Sequence, residues 1–167
     1  MKTLILPGFS IKNYEWAQEC AQNLKDFNIQ IVKWKHWTSG NPNDFSAENE
    51  AKNLSTYGSD KVNIIAKSLG ILVLTHFLSN GGIVNKLILC GIPLHDISDE
   101  DTQRFKTLST VPLQNIILFQ NEYDPHGSFT QISSFAGKIG LDVELVKKPG
   151  DDHNYPYYED FREFLGK

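Results

Sequence analysis

The sequence is short of the features that mark exported, membrane-bound and nucleic-acid-binding chains. Cysteine is scarce: Cys20 and Cys90 are the two among 167 residues, far apart and without CxxC spacing. A disulfide framework needs more cysteines in a smaller chain, so both are expected to be reduced, buried thiols, which points to a cytoplasmic compartment. No apolar run approaches the ~20 residues of a membrane span. Thr3, Leu4, Ile5 and Leu6 are all that separate Met1-Lys2 from Pro7-Gly8, too few for the apolar core of a secretory leader. Positive charge is not in excess either. Lys and Arg number 16 against 20 Asp and Glu, for a net charge of −4, and a phosphate-backbone binder needs a basic face. The pairs Lys33/Lys35 and Lys147/Lys148 are too short to make one. No low-complexity tract, repeat or Pro/Ser-rich linker divides the chain, and no His/Cys/Asp/Glu cluster has metal-ligand spacing. The expectation is one domain over residues 1–167, with no metal and neither nucleic acid nor membrane as partner.

What is present is an alternation of short apolar runs with longer amphipathic stretches. The runs 3–6, 30–34, 62–66, 86–90, 115–119 and 142–146 are rich in Ile, Val and Leu and bounded by turn residues, as strands buried on both faces should be. Helical stripes lie between them. Ala17, Cys20, Ala21, Leu24 and Phe27 form one, with Asn13 as its expected cap. Ala47, Ala51, Leu54 and Tyr57 form a second, ending at Gly58. Leu69, Leu72, Val73 and Phe77 form a third, stopped by Asn80-Gly81-Gly82. A fourth runs from Phe129 to Ile139 between Ser128 and Gly140, and Tyr157 to Leu165 closes the chain. Such alternation predicts an α/β fold: a doubly wound, six-stranded, mostly parallel sheet with helices on both faces. Right-handed crossovers then bring the carboxyl ends of all strands to one edge, where such folds place their sites.

Three residues at that edge carry a pattern. The third strand runs into Ala66-Lys67-Ser68-Leu69-Gly70 and then a helix. This small-x-Ser-x-Gly turn is the nucleophile-elbow pattern, whose small residues let strand and helix approach while the serine projects above the sheet. An acid and a histidine should follow in that order. Asp124 follows the fifth strand and His153 the sixth. Asp96 and Asp99, after the fourth strand, are the alternative acids. Asp151 and Asp152 stand too close in sequence to His153 to support its ring, and Asp152 reads as a turn residue. His126 shares the acid's loop, as a solvated turn residue or a substrate-edge contact. His95 stands at the mouth of the site. His36, between Trp34 and Trp37, ends the second strand in an aromatic cluster read as packing that lines the pocket.

With these residues in place the chain resembles the α/β-hydrolase superfamily over almost its whole length, and most closely its small, nearly lidless serine esterases and thioesterases. The resemblance implies Ser68 as nucleophile, Asp124 as orienting acid and His153 as general base, in a reaction that needs no cofactor. It makes Pro7-Gly8-Phe9-Ser10 the oxyanion loop, with the backbone N–H groups of Phe9 and Leu69 as donors. The family usually has His-Gly in that loop, and Gly where this chain has Ala66. In this family a lid is inserted after the fourth strand, here the twenty-odd residues 91–112, with one short helix expected around 102–108. The expected substrate-binding residues are Phe9, Ile92, Leu94, His95 and His126, and the partner is a small-molecule ester or thioester, or an acyl group on a larger molecule. The alternative is a catalytically silent binding protein of the same fold, free to have lost one member of the Ser68/Asp124/His153 set. A nucleotide-binding reading lacks the GxGxxG or Walker glycines.

Overall fold

A computed structural model describes residues 1–57 and 61–167. Its centre is one six-stranded sheet: β1 (Thr3–Leu6), β2 (Ile29–Ile31), β3 (Val62–Lys67), β4 (Val84–Cys90), β5 (Ile116–Asn121) and β6 (Glu144–Lys148). The spatial order is β2-β1-β3-β4-β5-β6. Every neighbouring pair is parallel, so the sheet is parallel throughout rather than mostly so. β3, at the middle, is buried at all its positions, which is why it reads as an unbroken apolar run.

Side chains alternate across the sheet with period two and feed two separate cores. Leu4, Leu6, Ile64, Ala66, Leu87 and Leu89 face one way. There they meet α3 (Ala47–Asn53), α4 (Leu69–Ser79) and α6 (Phe129–Ile139). Ile5, Ile65, Ile88 and Phe119 face the other way, against α1 (Asn13–Asn23) and α7 (Tyr158–Gly166). Both cysteines lie in this second core as buried free thiols. Burial pushes the Cys20 thiol up to about 12 and Cys90 well above its ordinary value, which makes them inert packing groups.

The ends of the elements show where tertiary contacts overrule local pattern. Ser128 and Gln131 close a capping box on α6, and Gly140 ends it in the left-handed conformation, as expected. Asn13 is not the cap of α1. Lys12 occupies that position without a capping side chain, and the Asn13 carboxamide is engaged elsewhere. The second strand stops at Ile31 instead of Trp34. Val32 still donates to the Ile5 carbonyl, but Trp34 turns to bond the β1 loop and α2 (Lys35–Ser39) begins at once. His36 therefore stands in a short helix, not at a strand end. The stripe from Ala47 continues past α3 as a 3-10 turn over Leu54–Tyr57; its expected stop at Gly58 lies outside the described residues. Segment 91–112 holds α5 (Asp99–Arg104) and a 3-10 stretch, Phe105–Thr110. Phe105, Leu108 and Val111 are buried in the core beside α4, so this segment supplies the crossover that the parallel pair β4–β5 requires.

The chain winds one way from β1 to β2 and the other way from β3 to β6. The reversal falls between β1 and β3, the point where open parallel sheets form a crevice. Gly70 makes it tight: a Cβ there would lie 2.2 Å from the Leu6 carbonyl oxygen.

Candidate active site

At the carboxyl end of β3 the backbone turns through Ser68 with φ 54° and ψ −126°. No other non-glycine among the described residues has positive φ. Such a conformation costs of order 1–3 kcal/mol and persists only where the surroundings over-determine it. Here they do. The Ser68 amide donates to the Cys90 carbonyl at 3.0 Å, and the Ser68 carbonyl accepts from Ile71 at 2.9 Å. The serine thus sits at the positive N-terminal end of α4.

The loops after β5 and β6 meet over Gly91, next to the Cys90 carbonyl that holds the Ser68 amide; among the described residues no hydrogen bond joins Ser68 to His153. Asp124 is buried, and its Oδ2 accepts from His153 Nδ1 at 2.6 Å and from the Tyr155 hydroxyl. Its Oδ1 accepts from the His126 amide at 2.8 Å. Burial alone would raise the Asp124 carboxyl. The bonds from His153 and Tyr155, the His153 charge and the His126 amide outweigh it and hold the group below its usual value. Burial pushes the Tyr155 phenol far up, and the bond to Asp124 adds to this, so Tyr155 stays a proton donor. With Nδ1 donating to Asp124, Nε2 is the buried nitrogen of His153 left without a protein partner. Gly91, at φ 66°, lies under both rings, and a Cβ there would stand 2.6 Å from the Tyr155 ring and 2.8 Å from His153 Cε1.

The loop after β1 is held through the carbonyls of Gly8, Phe9 and Ser10. Trp34 Nε1 donates to the Gly8 oxygen at 3.1 Å. Trp37 Nε1 and His36 Nε2 donate to the Phe9 oxygen at 2.7 and 2.8 Å. Asn13 donates to the Ser10 oxygen through its backbone N–H at 2.9 Å and through Nδ2 at 3.1 Å. In a trans peptide N–H and C=O point oppositely, so the Phe9 N–H is turned away from the Trp34 indole. Among the described residues neither the Phe9 nor the Leu69 amide donates to a protein group. The Phe9 ring stacks on His36, centroids 4.4 Å apart. Beside it opens a shallow cleft of about 270 Å³ that also touches Ile11, Trp37, Gly40 and Pro42.

The other expected residues are placed variously. His126 is half-exposed; its Nδ1 pairs with Asp96 Oδ2 at 2.8 Å and its ring lies 4.5 Å from that of His153. Asp96 therefore serves His126 and not His153. Asp99 opens α5. Asp152 accepts from Asn121 and Asn154 as a turn residue. Leu94 is half-buried against Gly127, and His95 is exposed with its amide on the His126 carbonyl. Ile92 is wholly buried in the core, so its side chain is packing and not an open wall of the site. Tyr155, Gly91 and the clamp by Trp34, His36 and Trp37 belong to no motif in the sequence. Tyr155 has the one weak sequence signal of standing two positions from His153. Among the described residues no group of three His, Cys, Asp or Glu could hold a metal, and no helix is long and apolar enough to cross a membrane.

This architecture, with the serine elbow at the turn between β3 and α4, is the α/β-hydrolase fold in its small form without a lid. A lidless α/β serine hydrolase from Xanthomonas campestris shares it with a TM-score of 0.62 at 15% identity, over 98% of this chain and 78% of its own. An α/β serine hydrolase homologue from Coxiella burnetii gives 0.64 at 15% identity, over 99% and 83%. The ydeN gene product of B. subtilis gives 0.65 at 16% identity, over 99% and 98%. In sequence the chain matches no protein-family profile and no curated protein. At such identities the likeness is one of fold.

Proposed function

We propose that this chain is a serine hydrolase that cleaves a carboxylic ester or thioester through an acyl-enzyme. The observation that carries the reading is the strained Ser68 turn together with the Asp124–His153 pair at 2.6 Å, whose loops close over Gly91 next to the Cys90 carbonyl bonded by Ser68. Strain of that kind is kept where it aims a side chain, and a buried carboxylate holding an imidazole fixes the tautomer that leaves the outer nitrogen basic.

In the first half-reaction His153 Nε2 takes the Ser68 proton as Oγ attacks the substrate carbonyl carbon. The carbonyl electron pair moves onto its oxygen, which the Phe9 and Leu69 amides hold. Collapse of the tetrahedral intermediate expels the alcohol or thiol, which takes the proton back from His153. Water, deprotonated by His153, then frees the carboxylic acid and restores Ser68. Asp124 stays ionised and steadies the imidazolium. Each oxyanion donor is worth roughly 10²–10³ in rate. The substrate is a small ester or thioester, or an acyl group on a larger molecule that the open edge admits, and the Phe9/Trp37 cleft takes its acyl end.

The test is a serine-directed fluorophosphonate followed by peptide mapping. Stoichiometric labelling of Ser68, lost in His153→Ala, is expected. Folded protein that neither labels nor turns over a p-nitrophenyl ester is instead a binding protein on a hydrolase fold.

A further inference from the structure

Lys67, the residue immediately before Ser68, has no part in the chemistry above, yet it is only 5% exposed. Strand alternation sends its side chain to the α1 side of the sheet with Ile65, beneath the elbow. The ammonium donates to Asn13 Oδ1 and lies 5.5 Å from the centre of the Trp16 ring. Neither partner is an anion. Burying an ammonium without an ion pair is costly, and an uncharged side chain of similar length would fill the same space for less.

The second end of Asn13 shows what the charge does. Its Oδ1 faces Lys67, so its Nδ2 must face the other way, and it donates to the Ser10 carbonyl at 3.1 Å. The same carboxamide packs on Gly8, where a Cβ would lie 2.9 Å from Nδ2. A carboxamide has one accepting and one donating end. A cation on the accepting end therefore fixes which end meets the loop.

We propose that Lys67 is a positioning residue that, through Asn13, ties the Ser68 elbow to the loop bearing the Phe9 amide and so keeps the two oxyanion donors in register. The inference rests on the acyl-transfer reading of Ser68. Lys67 does not touch substrate; it acts through Asn13.

The link is pH-sensitive. Burial lowers Lys67 to about 8, against the smaller raising pull of the Asp124 and Asp152 carboxylates. The groups facing it are Asn13 and Trp16 from α1, Cys90 from β4, Asp124 with its partners His153 and Tyr155, and Asp152. Cys90 and Tyr155 are both pushed well above their ordinary values, so neither loses its proton in this range. Above pH 8 the ammonium becomes a neutral amine, its hold on Asn13 weakens, and the rate should fall.

The experiment follows kcat and KM for p-nitrophenyl acetate from pH 6 to 10, with the uncatalysed rate subtracted, in the wild type, Lys67→Met, Asn13→Ala and the double variant. The wild type should lose rate above about pH 8. Lys67→Met should lower kcat about tenfold with KM little changed and abolish that alkaline limb. Asn13→Ala should cost a similar factor, and the double variant no more than either single one. Folded Lys67→Met with wild-type kcat and alkaline limb overturns the proposal, as does a double variant whose losses multiply. Should Lys67→Met not fold, Asn13→Ala decides, because it cuts the link and leaves the lysine in place. Fluorophosphonate labelling of wild-type Ser68, run alongside, separates failure of this inference from failure of the acyl-transfer reading: an unlabelled Ser68 ends both.

Discussion

Tyr155 and His153 donate to the same carboxylate oxygen, Oδ2 of Asp124. The phenol is buried and also accepts the Asn121 amide at 3.3 Å, so it ties Asp124 to the end of β5. Tyr155→Phe removes one donor from a buried carboxylate, which typically costs about 1–3 kcal/mol. The expected outcome is that loss of stability in urea, together with a kcat/KM for a short ester about tenfold lower. Wild-type turnover in Tyr155→Phe would leave the phenol as packing.

The assignment of the acid is open to direct test. Ser68→Ala, His153→Ala and Asp124→Asn should each cut turnover by about 10³–10⁴ or more while circular dichroism stays native. Asp96→Asn should retain most activity, since Asp96 pairs with His126 at the exposed lip. If Asp96→Asn were dead and Asp124→Asn active, the orienting acid would belong to β4.

Much of this arrangement was legible beforehand. β1 and β3 are buried along their lengths, so their apolar runs name them, and the Ser68, Asp124 and His153 positions follow from motif, order and strand end. What stayed hidden is what tertiary bonds decide. β2 is an edge strand, and it ends early because Trp34 bonds Gly8 across the loop, an outcome no local pattern carries. Lys67 looks like a solvent residue in any composition argument; only the alternation of β3 puts it underneath. Asn13 looks like a cap and is a strut.

Asp124 also makes stability depend on pH. Its folded value is depressed, so the contribution is present above the unfolded carboxyl pKa of about 3.9 and is lost as pH falls through the lower folded value. The stability gap between wild type and Asp124→Asn should therefore be largest near neutrality and shrink below about pH 4. Urea melts at pH 7, 5 and 3 check this, and a gap that widens toward acid contradicts it.

Gly91→Ala should harm activity more than stability. Its φ of 66° and the 2.6 and 2.8 Å approaches to Tyr155 and His153 mean that a methyl must push both rings. Overpacking of this kind costs about 1–3 kcal/mol, but a shift of His153 of the order of an ångström can cost about 10²-fold in rate. Kinetics and melts on one preparation separate the two effects, and equal proportional losses would argue against placing His153 at the reacting centre.

The last expectation concerns acyl length. A hydrophobic tail contributes about 0.8 kcal/mol per buried CH₂, which is about fourfold in kcat/KM for each methylene the protein covers. The cleft beside Phe9 and Trp37 is only about 270 Å³ and open on one side. Segment 91–112 adds no roof, because Phe105, Leu108 and Val111 are committed to the core beside α4. Rates for p-nitrophenyl esters from acetate to palmitate, kept below micelle concentrations, should climb over the first few carbons and then level or fall as further methylenes remain in water. Trp37→Ala should flatten the early climb, because it removes the largest wall and one of the two donors to the Phe9 carbonyl. Rates that rise steadily to long chains would place the acyl group in a deeper channel than this cleft and make the substrate a long-chain ester.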